Sequence, residues 1–216
     1  MIFVNFKTYE EGTGEEALCL ARICQETKSQ MGVDIVPVVQ AVDILRITQS
    51  VSLSVWVQHI DDIKFGPNTG RILPEVVKDA GASGTILNHS ENKITPAAIK
   101  TTINRVQSLG MKVMVCCKAL DEGEIIAKFN PDFLAYEPPQ LIGSRGITVA
   151  TAKPKVISDF VVNFPRLPII VGAGIHSFQD VEISLKLGAR GILVATDVVL
   201  AKDPKKQLKE LARGFK

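Results

Sequence analysis

The feature that most constrains the fold is an alternation of short apolar runs with longer amphipathic stretches, repeated along all 216 residues. The short runs are rich in β-branched residues and the longer ones space apolar residues as a helix does, so each pair predicts one strand and one helix. Alternating strands and helices are typical of an α/β protein with a parallel sheet. Eight strands are predicted, at residues 2–6, 35–39, 55–58, 84–88, 112–117, 133–136, 169–172 and 191–195.

Eight helices are predicted between and after the strands, at residues 14–30, 43–49, 73–79, 96–109, 121–129, 153–163, 177–187 and 204–213. Four of them end beside a glycine, the residue that the left-handed conformation of a C-terminal cap favours: Gly32, Gly81, Gly110 and Gly188. Three begin with a proline, where a missing N–H costs no helical hydrogen bond: Pro96, Pro154 and Pro204.

Eight strands and eight helices predict a closed (β/α)8 barrel, and the length suits a single domain spanning residues 1–216. A doubly wound open sheet is the alternative. That fold would want a glycine-rich fingerprint after the first strand, and Asn5-Phe6-Lys7-Thr8-Tyr9 is not one.

Composition argues against large charged partners. The net charge is +2 with no basic tract, so neither nucleic acid nor a membrane surface is expected to bind. No run approaches ~18 apolar residues, and the first residues enter a strand without a leader pattern, so we expect a cytoplasmic protein. The four cysteines lack C-x-x-C spacing and are expected to be buried small apolar residues: Cys19, Cys24, Cys116 and Cys117. We expect the protein to use no metal and no organic cofactor.

In a β/α barrel, chemistry is located where the strands end, and three candidate residues lie there. Lys7 shares a strand face with Asn5 and should present an ammonium group at the mouth, unless it is a solvated surface lysine. His89 precedes a helical turn that disfavours imidazolium, so it should act as a neutral hydrogen-bond donor, unless it is a satisfied core histidine. Glu137 precedes two prolines and is interpreted as a base beneath a lid, with a salt-bridged structural glutamate as the alternative.

Small residues follow the last two strands, as Gly172-Ala173-Gly174 and as Ala195-Thr196. Such loops let backbone amides approach an anion, and this pair of loops forms the usual phosphate site of β/α barrels. His59 and His176 have no neighbour at zinc-ligand spacing, so structural roles are expected for both.

In chain order, these segments resemble the triosephosphate isomerase family in its short archaeal form, from about Ile2 to the last helix. The resemblance is carried by Asn5-Phe6-Lys7, Thr69-Gly70, Asn88-His89-Ser90-Glu91, Tyr136-Glu137-Pro138-Pro139, Leu141-Ile142-Gly143 and Gly172-Ala173-Gly174-Ile175. It implies a TIM barrel that interconverts dihydroxyacetone phosphate and glyceraldehyde 3-phosphate, a step of glycolysis and gluconeogenesis. It further implies no cofactor, no metal, and a homotetramer or a dimer.

The resemblance also implies roles for single residues. Glu137 matches the base that moves a proton between adjacent carbons, His89 the electrophile at the carbonyl, and Lys7 the cation beside the substrate. Asn5 matches a neighbour of the substrate, and residues 138–146 match the closing lid. The phosphate is expected to be lined by Ile142, Gly174, Ala195 and Thr196.

Three departures from the family pattern carry further expectations. Asp197 stands where the family usually has glycine, and its carboxylate would repel the phosphate unless it points away or caps the next helix, an N-cap role that aspartate suits. The lid is one residue longer and contains Arg145, which could alter closure or supply a cation. Cys116-Cys117-Lys118 replaces a polar stretch, without an expected consequence. The alternatives left open are a barrel enzyme for a related phosphorylated aldose or ketose, and a phosphometabolite-binding protein without activity.

Overall fold

A closed barrel of eight parallel strands is the centre of the computed structural model, which describes residues 1–137 and 154–216. Each strand pairs with the next along the chain, and the last pairs with the first. The predicted (β/α)8 barrel is therefore confirmed, and the open sheet is excluded. The strands are β1 (Ile2–Asn5), β2 (Ile35–Val39), β3 (Trp56–Val57), β4 (Gly84–Leu87), β5 (Lys112–Cys117), β6 (Phe133–Tyr136), β7 (Ile169–Val171) and β8 (Gly191–Val194).

Helices surround the barrel, within a few residues of their predicted bounds. They are α1 (Gly14–Met31), α2 (Ile44–Thr48), α3 (Pro74–Asp79), α4 (Pro96–Ser108), α5 (Leu120–Ala127), α6 (Pro154–Asn163), α7 (Phe178–Lys186), α8 (Thr196–Val199) and α9 (Pro204–Arg213). The short α8 was not among the predicted helices. Two 3-10 turns lie at Glu10–Gly12 and Ala41–Asp43. None of the described helices has both the length and the apolar character needed to cross a membrane.

The glycines predicted to follow helices adopt the backbone conformation that such ends require. Their φ angles are 69° at Gly32, 95° at Gly81, 73° at Gly110 and 98° at Gly188, all in the left-handed region. A side chain is strained there, so glycine marks these chain reversals for a physical reason.

Aromatic rings fill the amino-terminal end of the barrel interior. Phe3, Trp56 and Phe133 each stand at or near the start of a strand and pack edge to face, with centroid separations of 5.0, 5.6 and 5.9 Å. A Cβ at Gly84 would overlap the Trp56 indole, so glycine makes room for that ring. These three rings, which we call the aromatic plug, occupy the amino-terminal end. The polar groups of the interior therefore lie at the opposite, carboxyl-terminal mouth.

The cysteines follow the prediction with one exception. Cys116 belongs to the core inside the barrel and Cys117 to the core between strands and helices, as alternation along a strand dictates. Cys24 is also buried. The prediction is wrong for Cys19, which is exposed because it falls on the solvent face of α1, whereas its neighbours Leu18 and Leu20 are buried.

Candidate active site

The structure brings Lys7, His89 and Glu137 together at the carboxyl-terminal mouth. The His89 Nε2 atom lies 3.2 Å from Oε1 of Glu137. Glu91 joins the group on the other side, with Oε1 at 2.6 Å from the Lys7 ammonium and Oε2 at 3.7 Å from His89 Nδ1. Strand ends from three different β/α units thus place an ammonium, an imidazole and carboxylates at one opening.

The hydrogen bonds of His89 define its tautomer. Its Nδ1 accepts a hydrogen bond of 3.2 Å from the backbone N–H of Glu91. A ring nitrogen that accepts carries no hydrogen, so in the neutral ring the hydrogen is on Nε2, the atom that faces Glu137. In that tautomer the imidazole is arranged as a donor into the mouth.

Glu137 is nearly enclosed, with its side chain only 5% exposed. Its Oε2 is buried and has no hydrogen-bond partner within residues 1–137 and 154–216. Gly172 provides the space, because a Cβ there would lie 2.7 Å from Glu137 Cγ. The carboxylate therefore has one oxygen directed at His89 and a second that no described group engages.

Cys116 lies inside the barrel close to Glu137. Burial raises the pKa of the Cys116 thiol, and the neighbouring Glu137 carboxylate raises it further. The thiol therefore stays protonated and is not a nucleophile at neutral pH.

Lys7 has a strained backbone that its neighbours hold in place. Its φ is 50°, an uncommon value for a residue with a side chain. Its N–H donates to Oδ1 of Asn5 at 3.0 Å, and its C=O accepts from Nε2 of Gln58 at 2.8 Å. Asn5 is only 4% exposed, so it acts here as an internal brace. Such strain at a site is a signature of function when the surroundings enforce it.

Asn88 supports the loop that carries His89. With a φ of 57°, it donates from Nδ2 to the Cys116 carbonyl at 2.8 Å and to Oε1 of Glu122 at 2.9 Å. Burial by itself would raise the pKa of Glu122, but hydrogen bonds from the Lys118 amide, Asn88 and Lys93 outweigh it and lower that pKa. Glu122 is therefore a charged anchor for this side of the mouth.

The residues predicted for the phosphate end lie after β7 and β8. Gly174 has a φ of 64°, where glycine is favoured. Ala195 is the residue before α8, and Thr196 opens that helix with its Oγ1 at 3.0 Å from the Tyr9 hydroxyl. Ile142, the lid at residues 138–146 and Arg145 lie outside the described residues.

Asp197 does not cap a helix, so that prediction is wrong. The chain turns into α8 two residues earlier, Ala195 is the N-cap, and Asp197 is the second helical residue. Its Oδ2 instead lies 2.7 Å from Nδ1 of His176. His59 also pairs with a carboxylate, at 3.6 Å from Asp61.

Sequence reasoning did not predict Gln58, Glu91, Tyr9 or the His176–Asp197 pair as parts of the mouth. Gln58 directly follows a strand, so the strand-end rule was the signal that could have found it. The Lys7–Glu91, Tyr9–Thr196 and His176–Asp197 contacts join distant loops and leave no local pattern. Within the described ranges, no group of three or more His, Cys, Asp or Glu could hold a metal ion.

The fold and the site together define a class, the (β/α)8 barrels with acid–base groups and an ammonium at one mouth. A family model described as Triosephosphate isomerase matches residues 1–213. The chain belongs to the triosephosphate isomerase family.

Relatives agree with this assignment, and a solved structure shares the fold. Proteins named triosephosphate isomerase from Methanobacterium bryantii and Methanothermus fervidus are each 42% identical, covering 98% of this chain and 95% and 96% of theirs. One from Methanocaldococcus jannaschii is 38% identical and covers 99% of both chains. The crystal structure of triosephosphate isomerase from Bartonella henselae has the same fold, with a TM-score of 0.78 at 19% identity over 99% of this chain and 98% of that one.

Proposed function

We propose that this chain is a triosephosphate isomerase that interconverts dihydroxyacetone phosphate and glyceraldehyde 3-phosphate, a step shared by glycolysis and gluconeogenesis. The two compounds differ in which of two adjacent carbons is the carbonyl. A proton must leave one carbon and return to the next, through an anionic enediolate. The site must therefore supply a base, donors for the two oxygens, positive charge, and a grip on the phosphate.

Glu137 is the proposed base. It removes the carbon-bound proton and later returns one to the neighbouring carbon. An enclosed carboxylate with an oxygen that no described group binds suits this task, because hydrogen bonds to both oxygens would weaken it as a base.

His89 and Lys7 are the proposed stabilisers of the enediolate. His89 donates from Nε2 to the substrate oxygens, where negative charge develops, and Lys7 supplies the balancing positive charge. When substrate arrives, its oxygens compete for the ammonium group with Oε1 of Glu91, which lies 2.6 Å from it. Asn5 positions Lys7 through the hydrogen bond to its backbone.

The phosphate group is proposed to bind between the loops that follow β7 and β8. Gly174, Ala195 and Thr196 are the described contacts in this proposal, and Ile142 with the lid at 138–146 completes it. Holding the phosphate and excluding water favours isomerisation over loss of phosphate from the enediolate. The substrate is bound without a metal or an organic cofactor in this proposal.

The observation that carries the proposal is the 3.2 Å separation of His89 Nε2 from Glu137 Oε1 at the same mouth as the Lys7 ammonium. A three-carbon substrate could touch all three groups at once. The tautomer of His89, defined by the Glu91 amide, gives the donor that the reaction needs at that atom.

A coupled assay in both directions tests the function. Glu137→Gln should lower kcat by about 10³-fold or more, because general-base catalysis contributes about that much. Glu137→Asp should lose about 10²-fold through misplacement of the carboxylate. Parent enzyme in D₂O should place deuterium on the reacting carbon of the product.

Two results would contradict the proposal. Turnover by Glu137→Asp within a few-fold of the parent would remove Glu137 as the base. Faster turnover of another phosphosugar would favour a barrel enzyme for a related phosphorylated aldose or ketose. Binding of the triose phosphates without turnover would favour a phosphometabolite-binding protein without activity.

We further propose a cytoplasmic homotetramer in which each chain is one catalytic domain. Free cysteines at all four positions suit a reducing compartment. Large apolar side chains on the described surface, among them Phe65 at 73% and Leu45 at 53% exposed, suit burial against other copies. The pairing of β1 with β8 joins the two ends of the chain in one barrel, which suits a single catalytic domain. Light scattering after size exclusion tests the assembly, with a dimer or a monomer as the contrary results.

A further inference from the structure

His176 and Asp197 form a contact that joins the two loops of the proposed phosphate end. The pair connects the segment after β7 to the first turn of α8, with Nδ1 of the imidazole 2.7 Å from Oδ2 of the carboxylate. An ionised carboxylate only accepts hydrogen bonds, so Nδ1 is the donor. The side chains are 27% and 42% exposed, so the pair lies at the rim of the mouth.

The backbone of His176 is anchored independently of its ring. Its N–H donates to Oδ2 of Asp180 at 3.1 Å, and its C=O accepts from Nε2 of Gln207 at 3.1 Å. Removing the imidazole therefore leaves the loop attached at both of these points. The ring has one described polar contact, and that contact is with Asp197.

The carboxylate of Asp197 is an electrostatic problem for the proposed substrate. Asp197 directly follows Thr196, a proposed phosphate contact, and stands in the first turn of α8. A carboxylate free to turn towards a phosphate dianion repels it, and such repulsion between partly exposed charges changes affinity by several-fold to about tenfold.

We infer that His176 is a positioning residue whose Nδ1–H engages the Asp197 carboxylate, so that this carboxylate is not free to turn towards the phosphate of the substrate. The inference rests on the proposed function. It makes the His–Asp pair a determinant of phosphate affinity, while Lys7, His89 and Glu137 carry the chemistry.

Kinetics of four variants test the inference. His176→Ala should raise KM for the triose phosphates by about 5- to 10-fold and change kcat less than about twofold. Asp197→Asn removes the charge and should keep KM within about twofold. The double variant His176→Ala/Asp197→Asn should return KM to within about twofold of the parent. His176→Asn retains a short N–H donor and should rescue most of the affinity.

Inorganic phosphate serves as the probe that does not depend on turnover. Its inhibition constant, or its dissociation constant by calorimetry, should rise and recover across the same variants in parallel with KM. Lys186→Ala is the matched control, because it breaks the 2.6 Å ion pair with Glu182 on α7 and should leave both constants unchanged.

The outcomes separate this inference from the function on which it rests. A parent without isomerase activity overturns the proposed function, whereas phosphate affinity can still be measured. If the double variant is as weak as His176→Ala, the pair only braces the loops and the charge argument is wrong. An unchanged KM in His176→Ala overturns the inference outright.

Discussion

Gly172 controls the position of the Glu137 side chain, and adding one methyl group there tests how closely activity depends on it. In Gly172→Ala the new Cβ would lie 2.7 Å from Glu137 Cγ, 3.4 Å from its Oε1 and 3.2 Å from the Tyr136 carbonyl oxygen. Carbon atoms pack at about 3.5 to 4.0 Å, so the overlap with Cγ is roughly 1 Å. The Gly172 N–H donates to the Tyr136 carbonyl at 2.9 Å and holds the backbone in the sheet, so the carboxylate has to move.

A displacement of about 1 Å at a catalytic group costs about 10²-fold in rate, which corresponds to about 2.7 kcal/mol of activation free energy. We therefore expect kcat of Gly172→Ala to fall about 10²-fold, with KM changed little because the phosphate loops keep their contacts. Overpacking should lower the free energy of unfolding by about 1–3 kcal/mol. The coupled isomerase assay gives the kinetic constants, and urea unfolding gives the stability.

Gly123→Ala is the matched control. This glycine lies in α5 with its added Cβ 3.0 Å from the Phe164 ring, outside the barrel mouth, so kcat should stay within about twofold of the parent. If Gly172→Ala is folded and retains kcat within about threefold, either Gly172 does not fix the carboxylate or Glu137 is not the base. The Glu137→Asp result distinguishes these two.

Three further predictions concern stability. Phe3→Ala should lower the free energy of unfolding by about 3–5 kcal/mol in urea titrations, since Phe3 is fully buried against Trp56; a loss below about 1 kcal/mol contradicts the aromatic plug. Ser177→Ala removes one half of the capping box with Asp180 and should lower the free energy of unfolding by about 1 kcal/mol in urea titrations. No measurable loss would show that the cap does not stabilise the protein. Glu122 has a lowered pKa, so its contribution to stability is present above its unfolded pKa of about 4.3 and is lost as pH falls through the lower folded value. Acid unfolding of Glu122→Gln should lack that part of the pH dependence. Identical acid-unfolding curves for Glu122→Gln and the parent would refute this role of Glu122.

Strand and helix positions were predictable because each depends on which face of a short segment is buried. Val36 and Val38 face the barrel interior while Ile35 and Val39 face the helices, so β2 is apolar on both sides and was recognisable as a fully buried strand. The error at Cys19 has the same origin, since apolar character did not reveal the orientation of a single position on α1.

Lys7, His89 and Glu137 were also predictable, because parallel strands bring their carboxyl ends to one mouth whatever the details of packing. The partners of these residues were not. Glu91 lies 84 positions from Lys7, and its contact depends on how β1 and β4 are set around the closed barrel. Asp197 was expected to cap a helix, and the bond to His176 is possible only because the loops after β7 and β8 are neighbours in space.

The sequence by itself determined the number and order of the strands and of the eight long helical segments in this protein, and with them the edge of the barrel where the charged groups collect. Those features follow from local periodicity, which each segment encodes without reference to the rest of the chain. Only the tertiary structure decided the tautomer of His89, the strained backbone of Lys7, the space that Gly172 leaves for Glu137, and the partner of Asp197. Each of these depends on distances of a few ångströms between atoms remote in the chain, which closure of the barrel alone establishes.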